Sequence, residues 1–303
     1  MKRLSAFLLI GFFVTAAINS QARYTLIPES PRPGDPLTVA LDTYAKEAVI
    51  LVNGSQIAKA NCFYVEDKSG VPCYFASILA IPSTAASGAA VIRLNGDSGV
   101  LCEIQFTIAA RDFHSETLKL DPALTSLVTT SNEQTRAESA RLWQILTTTG
   151  DYVYHDGQFV LPISTTRRTS RFGTRRVNQY SDGRRVTSIH AGVDFGAPTG
   201  TEVYACGRGK VILARARIIS GNSVIIEHGP GIYSIYYHLD TITAKEDSVV
   251  EAGEIIGLVG STGFSTGSHL HWELRISTEN TDPDVFVDRP LLDKSLITGR
   301  LFK

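Results

Sequence analysis

The sequence predicts a mostly β protein in three parts. These are an N-terminal immunoglobulin-like β-sandwich over 23–110, a short helical connector over 111–160, and a C-terminal antiparallel β domain over 161–303. Three observations predict this. Short segments rich in β-branched residues recur in both end portions. Glycine, proline and asparagine turn signals separate them. Between them lies one stretch with helical spacing.

The length of 303 residues fits two domains rather than one. Apolar residues make up 43% and charged residues 19%, an ordinary globular balance. A formal net charge of −1 excludes the global basic field of a nucleic-acid binder. The first residues read as a secretory leader spanning 1–22. Lys2 and Arg3 precede an apolar run from Leu4 to Val14, and Ser20-Gln21-Ala22 offers a cleavage point after Ala22. That run is shorter than the about 20 residues a membrane span needs. No later stretch reads as transmembrane, so the mature protein is expected to be exported, either periplasmic or secreted. An oxidising compartment permits disulfides among Cys62, Cys73, Cys102 and Cys206, and three full pairings are open. Cys62 and Cys73, flanking a turn at Lys68-Ser69-Gly70, are the most plausible pair, with buried thiols as the alternative.

In chain order, strands are expected at Leu37–Leu41, Ala48–Val52, Ala90–Leu94 and Leu101–Ile108. The turns between them are Pro31–Gly34, Asn53-Gly54 and Asn95-Gly96. Spacing of about 8–12 residues suggests a small sandwich. Pro33-Gly-Asp-Pro36 resembles the start of immunoglobulin-like bacterial domains. A spacer, docking or self-covering role fits this part, which carries no chemical constellation. Glu133–Leu146 shows helical spacing with Asn132 or Ser131 as cap, and a second short helix is placed within Leu118–Leu127. Strands then resume at Val203–Cys206, Gly209–Ala214, Ser223–Glu227, Ile232–His238, Ile255–Val259 and His269–Ile276. They do not alternate with helices, so a parallel α/β sheet is excluded.

Five of the seven histidines lie between His190 and His271. In His269–Ile276 successive side chains take opposite faces. Leu270, Trp272, Leu274 and Ile276 form one face, a core. His269, His271, Glu273 and Arg275 form the other, so both histidines face a polar groove. By the same alternation His238 shares a face with Ser234 and Tyr236, and it is expected to project into that groove. His228, at a glycine turn, reads as a solvated loop residue. His190-Ala-Gly-Val-Asp194 places an imidazole and a carboxylate four apart around a glycine, a pair able to fold about one ion. No His-Glu-x-x-His helix, Gly-x-Ser-x-Gly elbow or P-loop occurs. The Gly260–Gly267 run precedes a strand and reads as a tight loop that lets the backbone approach the site.

From about 165 to 285 the chain resembles the lysostaphin/LytM-type zinc metallopeptidases, which cleave peptidoglycan peptides. The resemblance rests on Ser170-Arg-Phe-Gly173, His190-Ala-Gly-Val-Asp194, Ala197-Pro-Thr-Gly200, Tyr236-Tyr-His238-Leu, Gly253–Gly257, Gly260–Gly263 and Ser268-His269-Leu-His271-Trp-Glu. It implies an antiparallel β groove with one zinc ion at its floor. It also implies His190, Asp194 and His271 as metal ligands, and His238 and His269 as catalytic histidines. The substrate it implies is a peptidoglycan stem peptide or cross-link. Arg171, Arg175 and Arg176 then become either contacts for stem-peptide carboxylates or a solvated basic surface. Some members of the family have lost metal ligands and regulate other wall hydrolases. This chain keeps all five positions, which favours an active enzyme over a restrained regulator or binding module.

Overall fold

The structure, a computed structural model, describes residues 22–66, 72–130 and 132–303. The leader, apart from Ala22, and the Lys68-Ser69-Gly70 turn fall outside these.

Eight strands build the sandwich: β1 Tyr24–Ile27, β2 Pro36–Leu41, β3 Glu47–Val52, β4 Ser55–Asn61, β5 Phe63–Glu66, β6 Pro72–Ala80, β7 Gly88–Gly96 and β8 Gly99–Ile108. They form two antiparallel four-stranded sheets, ordered β1-β2-β6-β5 and β4-β3-β7-β8. Strand alternation sets the core. Leu37, Val39 and Leu41 of β2 meet Ile50, Ile92, Leu94 and Ile104 from the facing sheet. Cys62 and Cys73 are not joined by a disulfide, and burial pushes the Cys62 thiol up to about 12.

β6 buries both of its faces. Leu79 points into the sandwich core, whereas Tyr74, Ala76, Ile78 and Ala80 belong to the core of the C-terminal domain. The sandwich is therefore docked on the second domain through a shared apolar layer. Arg111 reinforces the junction by pairing with both Asp35 and Asp282, and Arg289 donates to the Pro36 carbonyl at 2.8 Å.

The connector holds a strand, β9 Ser115–Lys119, before the helices α1 Pro122–Thr129 and α2 Glu133–Thr147. Asp121 caps α1, with Pro122 in its first turn, and Asn132 caps α2. The C-terminal part comprises β10 Arg168–Ser170, β11 Arg175–Gln179, β12 Arg185–Ile189, β13 Val193–Gly196, β14 Glu202–Tyr204, β15 Gly209–Arg217, β16 Gly221–Gly229, β17 Ile232–Ile242, β18 Val249–Val250, β19 Ile255–Val259, β20 His269–Ile276 and β21 Glu279–Thr281. The helices α3 Val285–Asp288 and α4 Lys294–Leu301 follow.

The main sheet runs β10-β13-β20-β17-β16-β15-β18. One face packs Trp272, Leu270, Tyr236 and Phe195 into the large core. On the opposite face, α2 lays Ile145 and Leu146 over Leu213, Ile225, Ile235 and Tyr237. The groove occupies the part of that face around Tyr237 and His271. A small second sheet, β12-β11-β9, rises beside it, and β9 pairs with β11 in parallel. This parallel pair is absent from the sequence expectation, because its partners are separated by two helices.

Trp272 is fully buried between the two histidine-bearing positions of β20 and Glu273. We expect Trp272→Ala to cost about 3–5 kcal/mol of stability in equilibrium denaturation, as large-to-small core substitutions of this residue do.

Candidate active site

The pairing of β13 with β20 aligns Asp194 with His271, Gly196 with His269, Val193 with Trp272 and Phe195 with Leu270. Directly paired residues share a face. Thus Asp194, His271 and His269 look into the groove, while Val193, Phe195, Leu270 and Trp272 are buried beneath. His190 arrives from the end of β12, and Gly192 makes the approach possible. A Cβ at Gly192 would meet the Trp272 carbonyl oxygen at 2.2 Å.

Three donor atoms converge. His190 Nε2 lies 3.0 Å from Asp194 Oδ1 and 3.0 Å from His271 Nδ1, and His271 Nδ1 lies 2.7 Å from Asp194 Oδ1. The ring partners decide the tautomers. His190 Nδ1 donates to the Arg171 carbonyl at 2.9 Å, and His271 Nε2 donates to Glu273 Oε1 at 3.0 Å. The facing nitrogens, His190 Nε2 and His271 Nδ1, then carry lone pairs. Two lone pairs and a carboxylate oxygen pointed at one another in a buried site call for a cation between them. Without an ion a proton takes that place. Burial opposes charge on His271, but Asp194 and Glu273 outweigh this and lift its pKa to about 9. Burial alone would raise Asp194, yet the two histidines hold it well below the usual carboxylate range. A bound cation would displace the His271 proton and leave both facing nitrogens as ligands. An N,N,O donor set held within 4.8 Å suits zinc, which takes imidazole and carboxylate ligands and leaves a fourth position open in catalytic sites. The residues present fit the ion.

His269 Nε2 lies 3.8 Å from Asp194 Oδ1, and its Nδ1 is 2.8 Å from the Gly267 carbonyl. His238 packs against His269 with ring centroids 4.8 Å apart, and its Nδ1 donates to the Thr262 carbonyl at 2.8 Å. In both rings Nδ1 is committed as donor, so Nε2 is free to accept. Burial, then His271 and His269, push the His238 pKa down to about 3.

The route by which His238 reaches the groove differs from the strict alternation expected. Tyr236 pairs with Trp272 and is buried in the core, whereas Tyr237 pairs with His271 and stacks on it. Alternation would send His238 to the core side with Tyr236. Instead His238 has φ of 63°, and the pairing with β16 shifts register between Val224–Tyr236 and Asn222–Leu239. This bulge turns the imidazole back to the groove. The loop at Gly263 permits the close packing that holds it: Gly263 has φ of 71°, and a Cβ there would meet the Gly221 amide nitrogen at 2.3 Å.

A further reading is corrected. His228 is buried within β16, not solvated. Its ring bonds Ser234 Oγ at 2.7 Å and the Arg208 carbonyl at 2.9 Å, and burial lowers its pKa to about 3. A neighbouring glycine signals a turn, but it does not report which way the preceding side chain points.

The arginines separate. Arg175 turns away to stack on Phe113 at 4.2 Å and to bond the Ser83 carbonyl. Arg171 is exposed beside His114. Arg176 bonds Asp194 Oδ2 at 3.0 Å and Glu116 Oε1 at 2.6 Å. Two groups the sequence reading left unused complete the surroundings: Glu116, and Glu273 behind His271. Glu273 is itself held by Arg275 and Asn280. Its position two residues beyond His271 on the same strand face was the available signal.

The groove has a volume of about 640 Å³. Its described walls come from β9, β10–β13, the Ile219-Ser220 turn, β17, the 264–268 loop and β20, and none from the sandwich. A cavity of similar size, about 650 Å³, lies between β5 and residues 149–153; its lining holds no histidine.

A buried His-Asp-His cluster with two acceptor histidines above it, on the floor of an antiparallel β groove, defines the class of a metallopeptidase centre. Residues 188–283 match the model of Peptidase family M23, and the chain carries a domain of that family. It is 38% identical over 135 residues to the DD-carboxypeptidase/endopeptidase Mpg of Neisseria meningitidis, covering 44% of this chain and 30% of that protein. It is 38% identical over 137 residues to the peptidoglycan DD-endopeptidase ShyA of Vibrio cholerae, covering 41% of this chain and 31% of that one. The alignments thus span about a third of the length of these relatives. A peptidase M23 structure from Pseudomonas aeruginosa superposes with a TM-score of 0.59 at 21% identity, covering 85% of this chain and 94% of the other. That likeness extends the shared fold beyond residues 188–283.

Proposed function

We propose that this protein is an exported zinc-dependent metalloendopeptidase that hydrolyses peptide bonds in bacterial peptidoglycan, in stem peptides or their cross-links. The observation that carries the reading is the convergence of three buried lone-pair donors, His190 Nε2, Asp194 Oδ1 and His271 Nδ1, beneath two histidines whose Nε2 atoms remain acceptors. The names of the relatives support the substrate class, and a peptidoglycan substrate supports a site of action outside the cytoplasm. Among the described residues no helix is long and apolar enough to cross a membrane.

In this reading His190, Asp194 and His271 hold one zinc ion. When bound, zinc supplies Lewis acidity, lowering the pKa of water toward about 7 and polarising a peptide carbonyl. His238 and His269 handle the proton and the developing oxyanion. Each presents Nε2 with its Nδ1–H fixed on a backbone carbonyl, so the ring cannot turn away when its charge changes. Tyr237 stacks on His271 at the floor of the groove.

The test is mass spectrometry of muropeptides after digestion of purified peptidoglycan by the mature protein, with and without a zinc chelator. New peptide termini that vanish with chelator and return with added zinc are expected. Intact muropeptides from zinc-loaded protein would overturn the reading.

A further inference from the structure

The proposed metal ligand Asp194 is held through Arg176 by a residue of the connector, Glu116. Its Oδ1 faces His190 and His271, while its Oδ2 is turned back onto Arg176 Nη2 at 3.0 Å. Arg176 is in turn gripped through Nε by Glu116 Oε1 at 2.6 Å, and Ser170 Oγ bonds the same Glu116 oxygen at 3.3 Å. The parallel register places Glu116 directly opposite Arg176, so both side chains leave their strands on the same face. Ser170 pairs with Asp194 across β10 and β13. Three carriers of this array, Glu116, Ser170 and Arg176, lie before residue 188, outside the segment that matches the family.

We propose that Glu116 is a positioning residue for the metal centre: through Arg176 it sets how Asp194 presents one oxygen to the zinc. This rests on the zinc reading given above. The physical case has two parts. A guanidinium beside a dication is unfavourable by itself, and a carboxylate on its far side offsets that repulsion. A fork gripped on two edges also fixes a geometry that a single contact leaves loose, and outer partners of this kind orient the metal ligands. All three side chains are at most about one third exposed, so solvent screens them only partly. The segment over 111–160, which the sequence presents as a helical connector, thereby becomes part of the active site. Glu116 and Leu118, alternate residues of β9, both line the groove.

The test uses the full mature chain, stripped of metal, with zinc affinity read by competition against a chromophoric chelator. Glu116→Gln, which keeps the shape and removes the charge, is expected to weaken zinc binding about ten-fold. The melting temperature of the metal-free protein should stay at the wild-type value. In an Arg176→Gln background the same change should have no further effect, because the route through Arg176 is already cut. Wild-type zinc affinity in both Glu116→Gln and Glu116→Ala overturns the proposal. So does an equal loss in the Arg176→Gln background, which would make Glu116 act on the metal independently. A wild-type protein that binds no zinc overturns the zinc reading itself, a distinct outcome.

Discussion

Asp194→Ala is expected to lose zinc and hydrolysis together. Asp194 supplies the only carboxylate of the donor trio and touches both histidine nitrogens through one oxygen. Without it, two buried imidazole lone pairs face each other with no anion to balance a dication. The loss in zinc affinity should exceed the about 100-fold upper range for an outer partner, since a direct ligand is removed. Arg176 would also lose its inner partner and retain only Glu116. Metal analysis of the purified variant, read beside its muropeptide digest, checks both parts. A variant that retains a full equivalent of zinc would show that Asp194 is not a ligand.

His269→Ala separates chemistry from metal binding. His269 stands 3.8 Å from Asp194 Oδ1, beyond the converging trio, and it packs on His238 rather than on His190. Its Nδ1 is anchored on the Gly267 carbonyl, which leaves Nε2 toward the groove. Removing it takes away a proton acceptor and leaves three metal donors untouched. Turnover should fall by about 10²–10⁴-fold, the usual contribution of a positioned acid or base, while zinc content stays near that of the wild type. Normal turnover in this variant would remove His269 from the catalytic assignment. Loss of zinc in parallel would instead make it a ligand.

The two substitutions probe parts of the site that differ in how far a sequence can disclose them. On β20 the period of two is unbroken, and the apolar set Leu270, Trp272, Leu274 and Ile276 is 2% exposed or less. Reading that alternation places His269 and His271 on the groove face without any knowledge of the fold, because each side chain's direction follows from its neighbours along one strand. The His190–Asp194 spacing is local in the same sense, and Gly192 between them marks a close approach of backbone to backbone.

Beyond that point the three-dimensional arrangement takes over. His238 belongs to the groove only because a bulge at positive φ breaks the alternation that would have buried it beside Tyr236. His228 follows its strand into the core and spends both ring nitrogens there. Glu116 meets Arg176 across a parallel pair joined through two helices, and no local pattern links positions so far apart in the chain. The sandwich, readable as a fold, could not be read as a docked one until the second face of β6 was seen against the other core. By itself the sequence determined the two faces of β20 and the His190–Asp194 pair, since these depend on local period and spacing, while the roles of the five proposed site residues came from the family resemblance. Only the tertiary structure decided which strands meet, where alternation fails, and which charged groups stand behind the proposed metal ligands, because those depend on contacts between distant segments.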